Sequence, residues 1–217
     1  MLSAILFDLD GTIVNTDPIH YQAWRQMLLN YGIDIDQTFY KSRVSGRLNP
    51  EIVKDILPQL SQVEGEKFAE EKESLFRQLA GNLQPLNGFP EFITWTKTHG
   101  LKRALVTNAP KSNAEFMLEV LGIRDVFDTV VLAEDCVAGK PDPAPYQVAL
   151  QNLSVTATEA IALEDSPSGI RSAVSANILT IGIASTHDPG GLTQIGAAIA
   201  IADFTDRHLW TLLDSLI

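Results

Sequence analysis

The sequence predicts a doubly wound α/β sheet with a helical unit inserted after its first strand. Short apolar runs that end in acidic or hydroxyl residues recur along the chain and read as buried parallel strands. Helix-length segments lie between most of them, and several stop at a glycine, the usual left-handed helix cap. The stretch after the first run breaks this alternation and contains no convincing strand.

The strand candidates are Ala4 to Phe7, Leu101 to Thr107, Thr129 to Leu132, Ala160 to Leu163, Ile178 to Ile183 and Ala197 to Ile201. The helices expected among them are Phe89 to His99, Lys111 to Leu121, Asp142 to Asn152, Ser166 to Ala176 and Asp206 to Leu216. The insert reads as helices at Pro18 to Tyr31, Gln37 to Arg43, Pro50 to Leu57 and Val63 to Ala80. This gives an α/β core over residues 1–15 and 85–217, and a helical unit over 16–84. The acidic cluster Glu64, Glu66, Glu70, Glu71 and Glu73 alternates with Lys67 and Lys72, and is expected to be a solvated face.

With 217 residues the chain suits one domain with an insert, or two modest ones. Its 45% hydrophobic content is enough to bury a core. A net charge of −11 disfavours nucleic-acid partners, although it leaves anionic substrates open, because a metal and a few cations can dominate a site. The single cysteine, Cys136, rules out an intramolecular disulfide. The opening apolar run lacks a basic flank and is cut by Asp8 and Asp10, so it does not read as a signal peptide. No apolar stretch approaches the ~20 residues of a membrane span. A cytoplasmic enzyme, monomeric or weakly dimeric, is the expectation.

In open parallel sheets ligands bind at the carboxyl ends of strands, and four such ends carry useful chemistry. The first is Asp8-Leu9-Asp10-Gly11-Thr12. Two carboxylates two residues apart on an extended segment can point the same way, one as nucleophile and metal ligand, the other as proton shuttle. The second is Thr107-Asn108, whose hydroxyl can donate to a phosphate oxygen. The third is Lys140, in the proline-rich loop Gly139-Lys140-Pro141-Asp142-Pro143, where an ammonium can neutralise phosphate and nucleophile. The fourth is Glu164-Asp165-Ser166-Pro167-Ser168-Gly169. Consecutive acids at one strand tip repel each other unless a cation joins them, and Mg²⁺ favours such oxygen ligands. Each string alone also suits a turn, a surface lysine or a helix cap. Together they bring a nucleophile, a hydroxyl, a lysine and metal-binding acids to one sheet edge.

These four strings resemble the motifs of the haloacid dehalogenase superfamily, in its phosphatase and β-phosphoglucomutase-like branch. The resemblance spans nearly the whole chain and implies a Rossmann-like core with an inserted helical cap that closes over the site and selects substrate. It implies that Asp8 becomes an aspartyl-phosphate and that Asp10 is the general acid/base, its carbonyl also binding the metal. Thr107, Asn108 and Lys140 then bind phosphate, and Glu164 and Asp165 hold Mg²⁺ with Asp8.

In the insert, Thr16, His20, Gly46 and Arg47 are candidate substrate-reading residues. Lys72 is expected to be solvated. The whole chain agrees with the mutase branch at Asp8, Asp10, Thr16, His20, Lys140, Glu164 and Asp165. It departs at Ser45 and Asn49, where those mutases carry a lysine and an arginine. Losing two cations from the loop that handles a second phosphate argues for a phosphatase of small phosphorylated metabolites, a sugar phosphate or a phosphoglycolate-like compound, over a hexose-phosphate mutase. A non-catalytic binding module would be expected to lose Asp8, Asp10 or Lys140. A phospho-acceptor signalling domain has no helical insert and no need of Asp10.

Overall fold

The computed structural model describes residues 1–217. It divides into two units, Met1–Asn15 with Leu83–Ile217, and Thr16–Asn82. The chain opens with β1 (Ala4–Phe7). The helices of the second unit follow: α1 (Asp17–Leu29), α2 (Gln37–Arg43), α3 (Asn49–Ile56) and α4 (Gln62–Leu79). The first unit resumes with α5 (Phe89–Thr98), β2 (Lys102–Thr107), α6 (Lys111–Leu121) and β3 (Thr129–Leu132). It continues through α7 (Ala144–Leu153), β4 (Ala160–Glu164), α8 (Pro167–Ser175) and β5 (Leu179–Ile183). It ends with α9 (Pro189–Gln194), β6 (Ile199–Ile201) and α10 (Arg207–Asp214).

The six strands form one parallel sheet in the order β3-β2-β1-β4-β5-β6. The doubly wound α/β prediction holds. β1 and β4 are buried along their whole length, as strands covered on both faces must be. Side chains alternate between faces. Ala4, Leu6, Ala104, Val106 and Ala162 pack with Tyr146 and Ala149 of α7 and Ala173 of α8. Phe7 points the other way, meeting Phe89 and Phe92 of α5 edge-on at 6.0 and 5.8 Å. Phe92 continues that layer to Phe204 and Trp210.

Several boundaries differ from expectation for local reasons. α7 begins at Ala144 because the Asp142 carboxylate accepts from the Ala144 N–H, a turn that precedes the helix. Asp206 is the N-cap of α10, accepting from the His208 N–H, and so lies just outside it. The expected strand at Ala197 starts at Ile199, and the short α9 before it was not anticipated.

In the second unit, Asp36 caps α2, and Ser61 with Glu64 forms a reciprocal capping box at the start of α4. Its core gathers Trp24, Leu28, Tyr40, Ile52, Val53 and Phe68. Two expectations fail here. Lys72 and Glu73 are buried, not solvated. Phe68, Lys72 and Phe76 recur at four-residue spacing, so Lys72 falls on the buried stripe of α4. Its ammonium bonds Glu73 Oε1 at 2.5 Å and lies 5.2 Å over the Trp24 ring.

Candidate active site

The strand order reverses between β1 and β4, and in such sheets that crevice is where ligands bind. Phe7 pairs with Leu163, and the Asp8 N–H donates to the Leu163 carbonyl at 3.0 Å. The register therefore sets Asp8, just past β1, beside Glu164, the last residue of β4. Asp165 follows directly. Ligand oxygens of Asp8, Glu164 and Asp165 lie within 4.8 Å of one another.

Lys140 reaches this cluster from the loop before α7. Its ammonium donates to Asp8 Oδ1 at 2.7 Å, to Glu164 Oε1 at 2.5 Å and to the Val106 carbonyl at 2.8 Å. All three of its protons are thereby assigned. Asn108 braces the loop: its amide nitrogen donates to the Lys140 carbonyl and its amide oxygen accepts from the Lys140 N–H, both at 3.0 Å. The Thr107 side chain is buried, and its hydroxyl oxygen accepts from the Ala109 N–H at 3.0 Å.

Asp10 sits in the turn after β1, where the Gly11 N–H donates to the Val14 carbonyl and three following N–H groups converge on the Leu9 carbonyl. Gly11 has φ +80°, and a Cβ there would lie 2.0 Å from Asp165 Oδ2. A Cβ on Gly169 would lie 2.0 Å from the Glu164 carboxylate. Both glycines are places where backbone must approach an acid closely.

The remaining predicted residues belong to the second unit. The Thr16 carbonyl accepts the first helical bonds of α1, from Ile19 and His20. The His20 ring stacks on Phe76 at 4.0 Å, with Nδ1 3.3 Å from the Lys72 ammonium. Gly46 makes a left-handed turn at φ +75°. Arg47 bonds the Arg43 carbonyl at 2.7 Å and Asp55 at 2.9 Å.

Residues 5–183 match the haloacid dehalogenase-like hydrolase family. The chain belongs to the haloacid dehalogenase-like hydrolases. Among relatives of this family, the chain is 30% identical to a validoxylamine A 7'-phosphate phosphatase from Streptomyces hygroscopicus subsp. limoneus, covering 95% of this chain and 96% of that one. It is 30% identical to a phosphorylated carbohydrates phosphatase from Thermotoga maritima, covering 92% and 94%. The structure of a β-phosphoglucomutase from Clostridium difficile superposes with a TM-score of 0.85 at 29% identity, over 100% of this chain and 97% of that one. These similarities place the chain in the phosphatase and phosphomutase branch of the family.

In this haloacid dehalogenase-like site three buried acids face one buried ammonium. Ionised, they leave two negative charges in excess, a costly state away from water. Burial pushes the Asp8 carboxyl up to about 7; Lys140 opposes this, and Glu164 and Asp10 add to it. Burial, then the charges of Asp8 and Glu164, holds Asp165 well above the carboxylate range. Burial alone would lower Lys140, but Asp8 and Glu164 outweigh it and keep the ammonium charged. An all-oxygen donor set with surplus negative charge fits a hard divalent cation such as Mg²⁺.

Three further residues of the site escaped the sequence reading. Tyr146, fully buried in α7, donates to Glu164 Oε1 at 2.8 Å; burial, then Glu164, raises its phenol well above its usual value, so it remains a donor. The Ser185 hydroxyl donates to the Gly11 carbonyl, and the Thr186 hydroxyl to Asp165 Oδ2. Tyr146 looked like one apolar helix position among many. Ser185 and Thr186 follow a fifth strand whose last residue, Ile183, is apolar, and hydroxyls in the loop beyond it read as ordinary turn residues.

Proposed function

We propose that the chain is a Mg²⁺-dependent phosphatase of a small phosphorylated metabolite, a sugar phosphate or phosphoglycolate-like compound, acting through an aspartyl-phosphate on Asp8. The observation that carries this reading is the convergence of Asp8, Lys140, Glu164 and Asp165 at the sheet's switch point. A Mg²⁺ held by Asp8, Glu164 and Asp165 supplies positive charge against the repulsion between a carboxylate and a phosphate dianion. Lys140 adds to that charge and fixes Asp8 Oδ1. An Asp8 oxygen bonds phosphorus as the ester P–O bond breaks, and Asp10 gives its proton to the leaving alkoxide. Asp10 then takes a proton from water, whose oxygen bonds phosphorus as the Asp8–phosphorus bond breaks. Thr107 offers its hydroxyl to a phosphate oxygen, and Asn108 keeps the Lys140 loop in place. Positioning and electrostatics supply most of the rate. Thr16, His20, Gly46 and Arg47 of the helical unit take part in substrate selection. The expected setting is the cytoplasm; no helix is long and apolar enough to cross a membrane.

Phosphate release from a panel of sugar phosphates and phosphoglycolate, with Mg²⁺, tests this. Wild-type protein is expected to turn over at least one, and Asp8→Asn none. A tenth of wild-type rate surviving in Asp8→Asn would rule out the covalent route.

Similarity to β-phosphoglucomutases supports a second reading, hexose-phosphate mutase. Against it, Ser45 donates to Asp17 and Asn49 donates to Glu73, so neither position presents a cation for a second phosphate. Glucose 1-phosphate separates the two: isomerisation faster than phosphate release would favour the mutase.

A further inference from the structure

The loop after β5 ties together two of the catalytic segments. Its first residue, Ala184, is anchored by its N–H to the Ile201 carbonyl of β6 at 2.7 Å. The next two carry the hydroxyls. Ser185 bonds the carbonyl of Gly11, in the turn that follows the nucleophile, and Thr186 bonds Asp165. These targets touch: the missing Cβ of Gly11 is the space in which Asp165 Oδ2 lies.

Proton counting orders the contacts. A carbonyl can only accept, so Ser185 donates to Gly11. A metal-ligating carboxylate can also only accept, so Thr186 spends its one proton on Asp165. With Asp165 ligating a metal, the His187 Nδ1, 2.8 Å from the Thr186 oxygen, is placed to be the donor in that contact. The result is a line of donors running from the His187 ring through the Thr186 hydroxyl to Asp165. Partners of this kind orient metal ligands and tune their basicity.

We propose that Ser185 and Thr186 are positioning residues of the metal site, Thr186 fixing the rotation of Asp165 and Ser185 fixing the turn against which Asp165 rests. This rests on the Mg²⁺ reading above. It makes the β5 end a fifth contributor to the site, one that acts through Asp165 and the Gly11 turn.

The test is Mg²⁺ affinity measured by isothermal titration on substrate-free protein, for wild type, Thr186→Val, Thr186→Ser and Ser185→Ala. Thr186→Val keeps the shape and removes the donor. It is expected to weaken Mg²⁺ binding roughly tenfold or more. Thr186→Ser restores the hydroxyl and is expected to bind within about threefold of wild type. Ser185→Ala is expected to fall between them. Unchanged melting temperatures without Mg²⁺ would confirm that the fold is intact. Wild-type affinity in Thr186→Val overturns the proposal, as does a Thr186→Ser as weak as Thr186→Val, which would make the residue a packing element. Should Thr186→Val fail to fold, wild-type affinity in Ser185→Ala and a tenfold loss in Thr186→Ser each overturn it. A wild-type protein that binds no Mg²⁺ would instead sink the metal reading itself, a result visible before any variant is made.

Discussion

Each unit of this chain buries a cluster of charges, and the two clusters are built on opposite principles. In the α/β unit, Asp8, Glu164 and Asp165 share one ammonium, and the acids Asp8 and Asp165 are driven upward in pKa. In the helical unit, one acid meets one ammonium, with polar company. Glu73 Oε1 accepts from Lys72 and from the Asn49 amide, both at 2.5 Å, and His20 approaches the same ammonium. Burial alone would raise the Glu73 carboxyl, but Lys72, His20 and Asn49 outweigh it and hold it below its ordinary 4.5. The second cluster pairs its acid with an ammonium. The first has more acid than base, a donor set that would suit a divalent cation. On the proposed mechanism the same ingredients serve a reaction in one place and a fold in the other, and charge balance tells them apart.

The contrast is broken most severely through activity. Asp8→Asn removes the proposed nucleophile, and turnover should fall by roughly 10³-fold or more. Above pH 7, where Asp8 is ionised, it also removes a surplus negative charge, so the melting temperature without Mg²⁺ should rise there. A fall in melting temperature would mean that the core acids are balanced after all.

Neutralising the acid of the helical unit should do the reverse. Glu73→Ala takes away the carboxylate that Lys72 bonds, and losing one partner of a buried pair costs about 3–5 kcal/mol. Chemical denaturation measures this. The sign with pH follows from the lowered Glu73 value. Its stabilisation is complete above the unfolded carboxylate pKa near 4.5 and is lost as pH falls through the lower folded value. Glu73→Ala should lack that acid-side loss. An unchanged acid slope would show that Glu73 is not held ionised by its neighbours.

Adding Mg²⁺ sharpens the comparison. A ligand at a hundredfold excess over its Kd stabilises by about 2.7 kcal/mol, a melting shift of roughly 5–10 °C for a chain of this size. The shift should survive in Glu73→Ala and vanish in Asp165→Asn, with Ca²⁺ binding but inhibiting turnover. A shift lost in Glu73→Ala would place the cation in the wrong cluster.

The smallest effect concerns Arg47. Its pair with Asp55 is about one-third exposed on each side, so Arg47→Ala should change stability by about 0–1 kcal/mol. A charge-assisted bond from this guanidinium to a second polar group of the substrate would cost about tenfold in kcat/KM when lost, with no loss on a simple aryl phosphate. Equal losses on both would mean that Arg47 only holds its loop to Asp55 and the Arg43 carbonyl.

What could be read from the chain alone follows this division. The strands, the helical insert and the strings at the strand ends were legible because each pairs a period with punctuation: an apolar run, then an acid, a hydroxyl or a glycine. The burial of Lys72 was written in the spacing of Phe68, Lys72 and Phe76, yet the charges on neighbouring positions of α4 pointed to solvent and masked it. Asn108 was expected at phosphate; its amide also bonds the N–H and carbonyl of Lys140, a long-range partnership that no local pattern encodes. Tyr146, Ser185 and Thr186 were illegible for the same reason. Each acquires its meaning from an atom far away in sequence, brought close only by sheet order.

The pairing of Phe7 with Leu163 carries a last consequence. A strand slipped by one residue moves by about 3.3 Å and turns each side chain to the other face. Asp8 would then leave Lys140 and the acids at the tip of β4, while the sheet could still close around its apolar runs. On the proposed mechanism, catalytic competence is therefore a gauge of alignment: a variant that still turns over substrate through Asp8 has β1 and β4 in their native register, whatever else in it has changed.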